Sequence, residues 1–277
     1  MTVRVGIGGW TFEPWRGVFY PEGLAHAKEL TFASRALKTL EINGTFYRNP
    51  SAKSCADWAR QAPDGFVFAL KAPRYATNRR VLAEAGESIT RFVTSGIAEM
   101  GEKLGPINWQ FAPTKAFDPE DFAAFLTLLP EAVAGVRLRH AVEVRHPSFA
   151  AADFVALARA HKVAIIFADH PTYPAIADQT ADFTYARLMQ AHEEVETGYD
   201  AGALSAWRNA AAAWAQGQVP EGLSVLAPPE GKGVGKGASA GKGKSASPRD
   251  VFIYMINGAK VRAPAGAVAL QQLVDQG

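Results

Sequence analysis

The chain has 277 residues, a formal net charge of +2, 48% apolar residues and 20% charged ones. That balance suits a soluble globular domain, and it makes no global demand for a nucleic-acid or membrane partner. Cys55 is the single cysteine, which excludes an intrachain disulfide and a cysteine-rich zinc site.

The opening residues, MTVRVGIGGW, lack the basic stretch and apolar run of a signal peptide. No apolar run is long enough for a bilayer. A cytoplasmic location is the expectation, with no membrane partner.

Eight short apolar runs order the chain. They are VRVGIGGW (3–10), TLEINGTF (39–46), VFALKAP (67–73), INWQFA (107–112), HAVEVRHP (140–147), VAIIFADH (163–170), FTYARLM (183–189) and VFIYMING (251–258). Helical patterns separate most of them. Strand then helix, eight times over, predicts an α/β fold, a TIM-type (β/α)8 barrel, as one domain over 1–277. A loop with Pro14, Gly17 and Pro21 follows strand one, then a helix from about Leu24 to Leu37. Ser51 is placed to cap the helix after strand two, and Asp118 with Pro119 to start the one after strand four. Between them, Arg79 to Leu104 reads as a long helix with possible breaks at Gly86 and Gly96. Ser148 is a candidate cap after strand five, and the helical signal after strand six is weak. Residues 227–248, rich in Gly, Lys, Ser and Ala, read as a flexible insertion before strand eight.

A barrel strand points alternate residues inward. With Leu40 and Ile42 on the helix side, Glu41 and Asn43 face in. The same parity aims Lys71 inward on strand three, Asn108 and Gln110 on four, Glu143 and Arg145 on five, Phe167 and Asp169 on six, and Tyr185 and Arg187 on seven. Trp10 and Asn257 lie at the tips of strands one and eight, and strand eight itself is apolar on both faces. The ring holds three acids, Glu41, Glu143 and Asp169, and three bases, Lys71, Arg145 and Arg187. Buried charges need partners, so one reading is a self-neutralising network that fixes strand register. The other is a ligand site at the C-terminal mouth, where barrels keep their chemistry. An anion subsite is expected at Arg187 and the turn Asn257–Lys260, since barrels often hold phosphate there. His146 and His170 lie at strand ends, but no HxH or HExxH spacing supports a metal; no metal and no cofactor is assigned. The other histidines, His140 among them, need no function.

The segments GIGGWTFEPWRGVFYP, EINGTFYRNP, FALKAPR, QFAP, EVRHPSF and YARLM occur in the order of the YecE-like family, domain of unknown function 72, which the chain resembles over nearly its whole length. The resemblance implies a TIM-type barrel without supplying a reaction. The motif positions it carries over are Trp10, Trp15, Tyr20, Glu41, Asn43, Phe46, Tyr47, Lys71, Arg74, Gln110, Glu143, Arg145, His146 and Arg187. Where the family often has Thr-His after KAPR, this chain has Thr77-Asn78.

The first functional reading is an enzyme of isomerase, lyase or hydrolase type, acting on a small polar or anionic carbohydrate-like molecule. Glu41 and Glu143 would transfer protons, with Lys71 and the arginines polarising an oxyanion. Trp10, Asn43, Phe46, Tyr47, Arg74, Gln110, Arg145, His146, Asp169, Arg187 and Asn257 would bind substrate. A Schiff base through Lys71 would need a depressed amine pKa, which neighbouring glutamates should oppose. The alternatives are a nucleic-acid-associated protein, helped by the Lys-rich insertion, and a non-catalytic ligand-binding barrel. The oligomeric state stays open.

Overall fold

The computed structural model describes residues 2–227 and 248–277, so the Lys-rich insertion read at 227–248 lies outside the described residues except for its two ends. Eight β-segments form one all-parallel sheet. They are β1 (Val3–Gly8), β2 (Thr39–Ile42), β3 (Val67–Lys71), β4 (Leu104–Gln110), β5 (Arg139–Glu143), β6 in two pieces (Ala164–Ile165 and Phe167–Asp169), β7 (Phe183–Leu188) and β8 (Asp250–Met255). Neighbours in sequence pair in order, and β8 pairs with both β7 and β1. The first piece of β6 pairs with β5 and the second with β7. The sheet therefore closes on itself through one segment, as a TIM-type barrel does.

Among the described residues, seven helices of eight residues or more pack outside: α1 (Glu29–Ala36), α2 (Ala52–Gln61), α3 (Gly86–Val93), α4 (Pro119–Thr127), α5 (Ala152–Ala160), α6 (Ala201–Ala215) and α7 (Ala263–Gln276). Ser51 caps α2 by accepting from the Ser54 N–H at 3.1 Å. Asp118 accepts from both Glu120 and Asp121 at the start of α4. Other local expectations fail. The long helix over 79–104 is three pieces: 3-10 turns at Leu82–Ala85 and Ile97–Lys103 flank α3. Gly96, at φ +111°, breaks it, while Gly86 simply opens α3. Ser148 does not cap α5, which starts at Ala152; its hydroxyl accepts from the Phe117 N–H at 2.8 Å instead.

Parity sorts the side chains as alternation requires, with one exception. Val67, Ala69, Ala141, Tyr185, Phe252 and Tyr254 form an interior cluster distinct from the larger core between sheet and helices. This settles β8, whose even-numbered residues face in. On β6 the expected parity is reversed: Ala164, Ile166 and Ala168 face in, while Phe167 packs outward on Trp207 and Trp214 of α6. Ala168 is in register with Arg187. A small side chain there leaves room for the guanidinium, and the large Phe167 gains its burial against indoles.

β1 contributes glycines to the interior. A Cβ on Gly6 would lie 1.9 Å from the Thr39 carbonyl oxygen, so β1 and β2 meet too closely for any side chain. His140 is not on a helix or loop but on β5. Its ring accepts from Trp109 Nε1 at 3.0 Å and meets the Pro130 carbonyl at 2.8 Å, a buried strut.

Gly6→Ala should lower the urea midpoint by the equivalent of about 1–3 kcal/mol, the usual cost of overpacking. An unchanged midpoint would show that β1 can separate from β2 without loss.

Candidate functional site

Five charged side chains meet inside the C-terminal end of the barrel. Arg187, on β7, reaches across to both glutamates: Nη1 donates to Glu143 Oε2 at 2.5 Å and Nη2 to Glu41 Oε1 at 3.0 Å. Arg145 grips the other oxygen of Glu143 from Nε at 2.7 Å and Nη2 at 2.6 Å. Asn108 Nδ2 lies 3.3 Å from an oxygen of each glutamate. The Tyr185 hydroxyl donates to Glu41 Oε2. Below, Tyr254 shares a hydrogen bond with Thr39 at 2.8 Å. Glu41, Glu143, Tyr185 and Tyr254 are fully buried. Lys71 stands in register beside Asn108, with Nζ 4.4 Å from the centre of the Phe46 ring.

Burial alone would raise the pKa of Glu143, but Arg187, Arg145 and Lys71 overcome it and pull the carboxyl down to about 2. Burial likewise opposes charge on Arg187, and the two glutamates more than reverse it. Tyr185 moves well upward, through burial and the Glu41 charge, so it stays a hydrogen-bond donor. Lys71 goes the other way. Burial first, then Arg187, lower its ammonium to about 8 against the upward pull of Glu41 and Glu143. The expectation that the glutamates would keep this pKa high is therefore corrected: Arg187 and Arg145 already claim them. Among the described residues no carboxylate lies within ion-pair distance of Lys71 Nζ.

A family model described as "protein of unknown function DUF72" matches residues 4–277. The chain belongs to the DUF72 family. A DUF72 family protein from Thermotoga maritima superposes with a TM-score of 0.72 at 21% identity, covering 99% of this chain and 100% of that one. Two structures of a DUF72 family protein from Enterococcus faecalis match with TM-scores of 0.67 at 15% identity, each covering 99% of this chain and 96% or 98% of the other. These likenesses show a shared fold. No curated protein matches.

Around the cluster of this DUF72 protein, aromatic faces carry the mouth cations. Arg74 lies over Tyr47 at 5.6 Å and Arg145 over Tyr173 at 4.8 Å. Tyr47 and Arg74 are exposed, and Gln110 is nearly buried with its Oε1 unpartnered. The structure does not bring every expected residue into the cluster. Asp169, on the reversed strand β6, accepts from Gln190 at 2.5 Å at the rim. Burial raises its pKa. His146 turns to Ser148, with Nδ1 2.8 Å from its hydroxyl. His170 stacks on Tyr173 at 3.7 Å. Asn257 is exposed and its amide lies 3.9 Å from the Met189 sulfur. Two of the three Arg187 nitrogens are taken by the chain's own carboxylates, and its Nε has no partner among the described residues. Among the described residues no group of three or more His, Cys, Asp and Glu could hold a metal ion, and no helix is long and apolar enough to cross a membrane. Asn108 and Tyr185 were missed as functional candidates although inward parity marks both. Trp10 and Asn43 line a separate cavity of about 580 Å3 beside the cluster, whose wall includes none of Glu41, Lys71, Glu143 and Arg187.

Arg187→Met should destabilise the protein by about 3–5 kcal/mol at pH 7, because two buried carboxylates lose their shared partner. The sign with pH should also invert. In the parent, the Glu143 contribution is complete above the ordinary glutamate pKa and is lost as pH falls toward about 2. In the variant Glu143 keeps Arg145, but the buried Glu41 carboxyl keeps only Tyr185 and Asn108 and favours its protonated form, so the urea midpoint should rise as pH drops from 7 to 5. A midpoint that falls in step with the parent would refute this account.

Proposed function

We propose that this DUF72 protein is an enzyme that moves a proton on a small polar, anionic, carbohydrate-like substrate at the barrel mouth, with Lys71 as the titrating group. The observation that carries the reading is Lys71: an amine with its pKa lowered to about 8, beside two carboxylates already committed to arginines. A general base works best when its pKa lies near the working pH. Glu41 and Glu143, assigned proton transfer from sequence alone, serve better as the anchors that hold Arg187 and Arg145 in place.

Two carboxylates balance the two arginines while Lys71 is neutral, and the one positive charge that appears when Lys71 takes a proton balances the oxyanion formed. In this reading the neutral amine takes a proton from a carbon beside a carbonyl, or from a hydroxyl. Arg145, with N–H donors beyond the two on Glu143, stabilises the oxyanion that forms. Gln110 and Asn108 supply amides for hydroxyl groups, and the aromatic rim offers faces for the C–H side of a sugar-like chain. Cys55, the only cysteine, is buried, compatible with the cytoplasmic location inferred from composition.

The test uses no substrate. Reductive methylation with formaldehyde and cyanoborohydride, read by peptide mass spectrometry, reports each lysine's neutral fraction. At pH 7 an amine of pKa about 8 is roughly a tenth neutral, about two hundredfold more than an ordinary lysine. Lys71 should be modified first, at a rate that climbs with pH and levels off above about 8. Modification no faster than the surface lysines, with no plateau, would sink the reading. The same shift predicts that Lys71→Met is more stable than the parent at pH 7. The unfolded chain binds the extra proton between about 8 and the ordinary lysine value, so the gap should close as pH rises through that window. Thermal melts across that window check this.

A further inference from the structure

The cavity beside the cluster has its own chemistry. It lies at the C-terminal ends of β1 and β2, against the start of α2, and encloses about 580 Å3, within the range of small-molecule sites. Two indoles form part of its wall: Trp10 and Trp58 meet edge to face with ring centres 5.8 Å apart. Arg48 and Lys260 also line it, and no aspartate or glutamate does. Among the described residues, neither cation has a carboxylate within 4.0 Å; Lys260 instead rests 4.2 Å over the Phe12 ring. Gly44 belongs to the wall, and a Cβ built there meets nothing within 4 Å. The space is therefore open where a side chain could have filled it. The N-terminus of α2 is already capped by Ser51, so the anion preference comes from the two cations.

We infer that this cavity binds a phosphomonoester carrying a planar ring, of the size and chemistry of a nucleoside 5′-monophosphate. A phosphomonoester carries close to two negative charges at neutral pH, which matches Arg48 and Lys260. A flat base matches the indole wall, since base–aromatic stacking contributes substantially to binding. Asn43 offers both a donor and an acceptor to the ring edge. Lys71 does not line the cavity, so this inference goes beyond the proton-transfer reading and stands or falls apart from it.

Isothermal titration calorimetry of the full chain at low salt decides it, with AMP, GMP, CMP and UMP as probes and the matching nucleosides, ribose 5-phosphate and inorganic phosphate as comparators. At least one monophosphate should bind saturably, and at least tenfold more tightly than its nucleoside, ribose 5-phosphate and phosphate. Gly44→Leu, which adds a side chain to the cavity wall, and the double variant Arg48→Gln/Lys260→Gln should each weaken that binding tenfold or more. Lys71→Met should bind within about twofold of the parent. The inference is overturned if no monophosphate binds, if ribose 5-phosphate or phosphate binds as well, if either cavity variant that melts like the parent binds like it, or if Lys71→Met abolishes binding. Should Gly44→Leu fail to fold, the double variant on the surface of the cavity decides alone.

Discussion

Arg187 is the point on which the barrel interior depends. A guanidinium that is almost wholly buried, reaching Glu143 at 2.5 Å and Glu41 at 3.0 Å, ties β7 to β5 and β2 through the middle of the barrel. An isolated ion in such a place would carry a heavy desolvation cost. The site is stable because charges, amide and phenol satisfy each other: Asn108 bridges the same two glutamates, and Tyr185 completes Glu41. The network is not wholly closed. Arg187 Nε, Asn108 Oδ1 and Gln110 Oε1 are buried and have no partner among the described residues.

What this network does to Lys71 follows from burial first and from charge second. Glu41 and Glu143 are already bound by Arg187 and Arg145. Because they are taken, the lysine sees burial and a neighbouring guanidinium, and both favour the neutral amine. The ion-pair lattice thus leaves Lys71 without a carboxylate partner among the described residues. The opposite end of the barrel shows the contrast: Arg4 and Arg139 both reach Asp250, at 3.4 and 3.6 Å, and lie over Phe252. There the charges close the floor.

The aromatic residues divide between these roles. Phe46, Tyr47 and Tyr173 each face a cation at the mouth. Trp10 turns away from them toward α2, after Gly9 takes φ +76°. The space beside the first has these indoles in its wall and no carboxylate.

The sequence by itself determined the eight-strand pattern, the barrel, and the meeting of Glu41, Lys71, Glu143, Arg145 and Arg187. The reason is that strand alternation has a fixed period of two, and five charged residues at strand ends can share one mouth only in a closed sheet. It also determined the caps at Ser51 and Asp118, where the interaction is local. Tertiary structure decided the rest. The parity of β6 turned on whether Phe167 or Ala168 would face Arg187, a question of volume across the barrel that no single strand contains. Asp169 left the cluster as a result. The direction of the Lys71 shift depended first on how deeply the amine is buried and then on its distance from Arg187, both of which are set in three dimensions. The cavity at Trp10 required Gly44 of one loop, Trp58 of α2 and Lys260 from the far end of the chain. No pattern in the sequence brings those three together, because their proximity exists only once the barrel has closed.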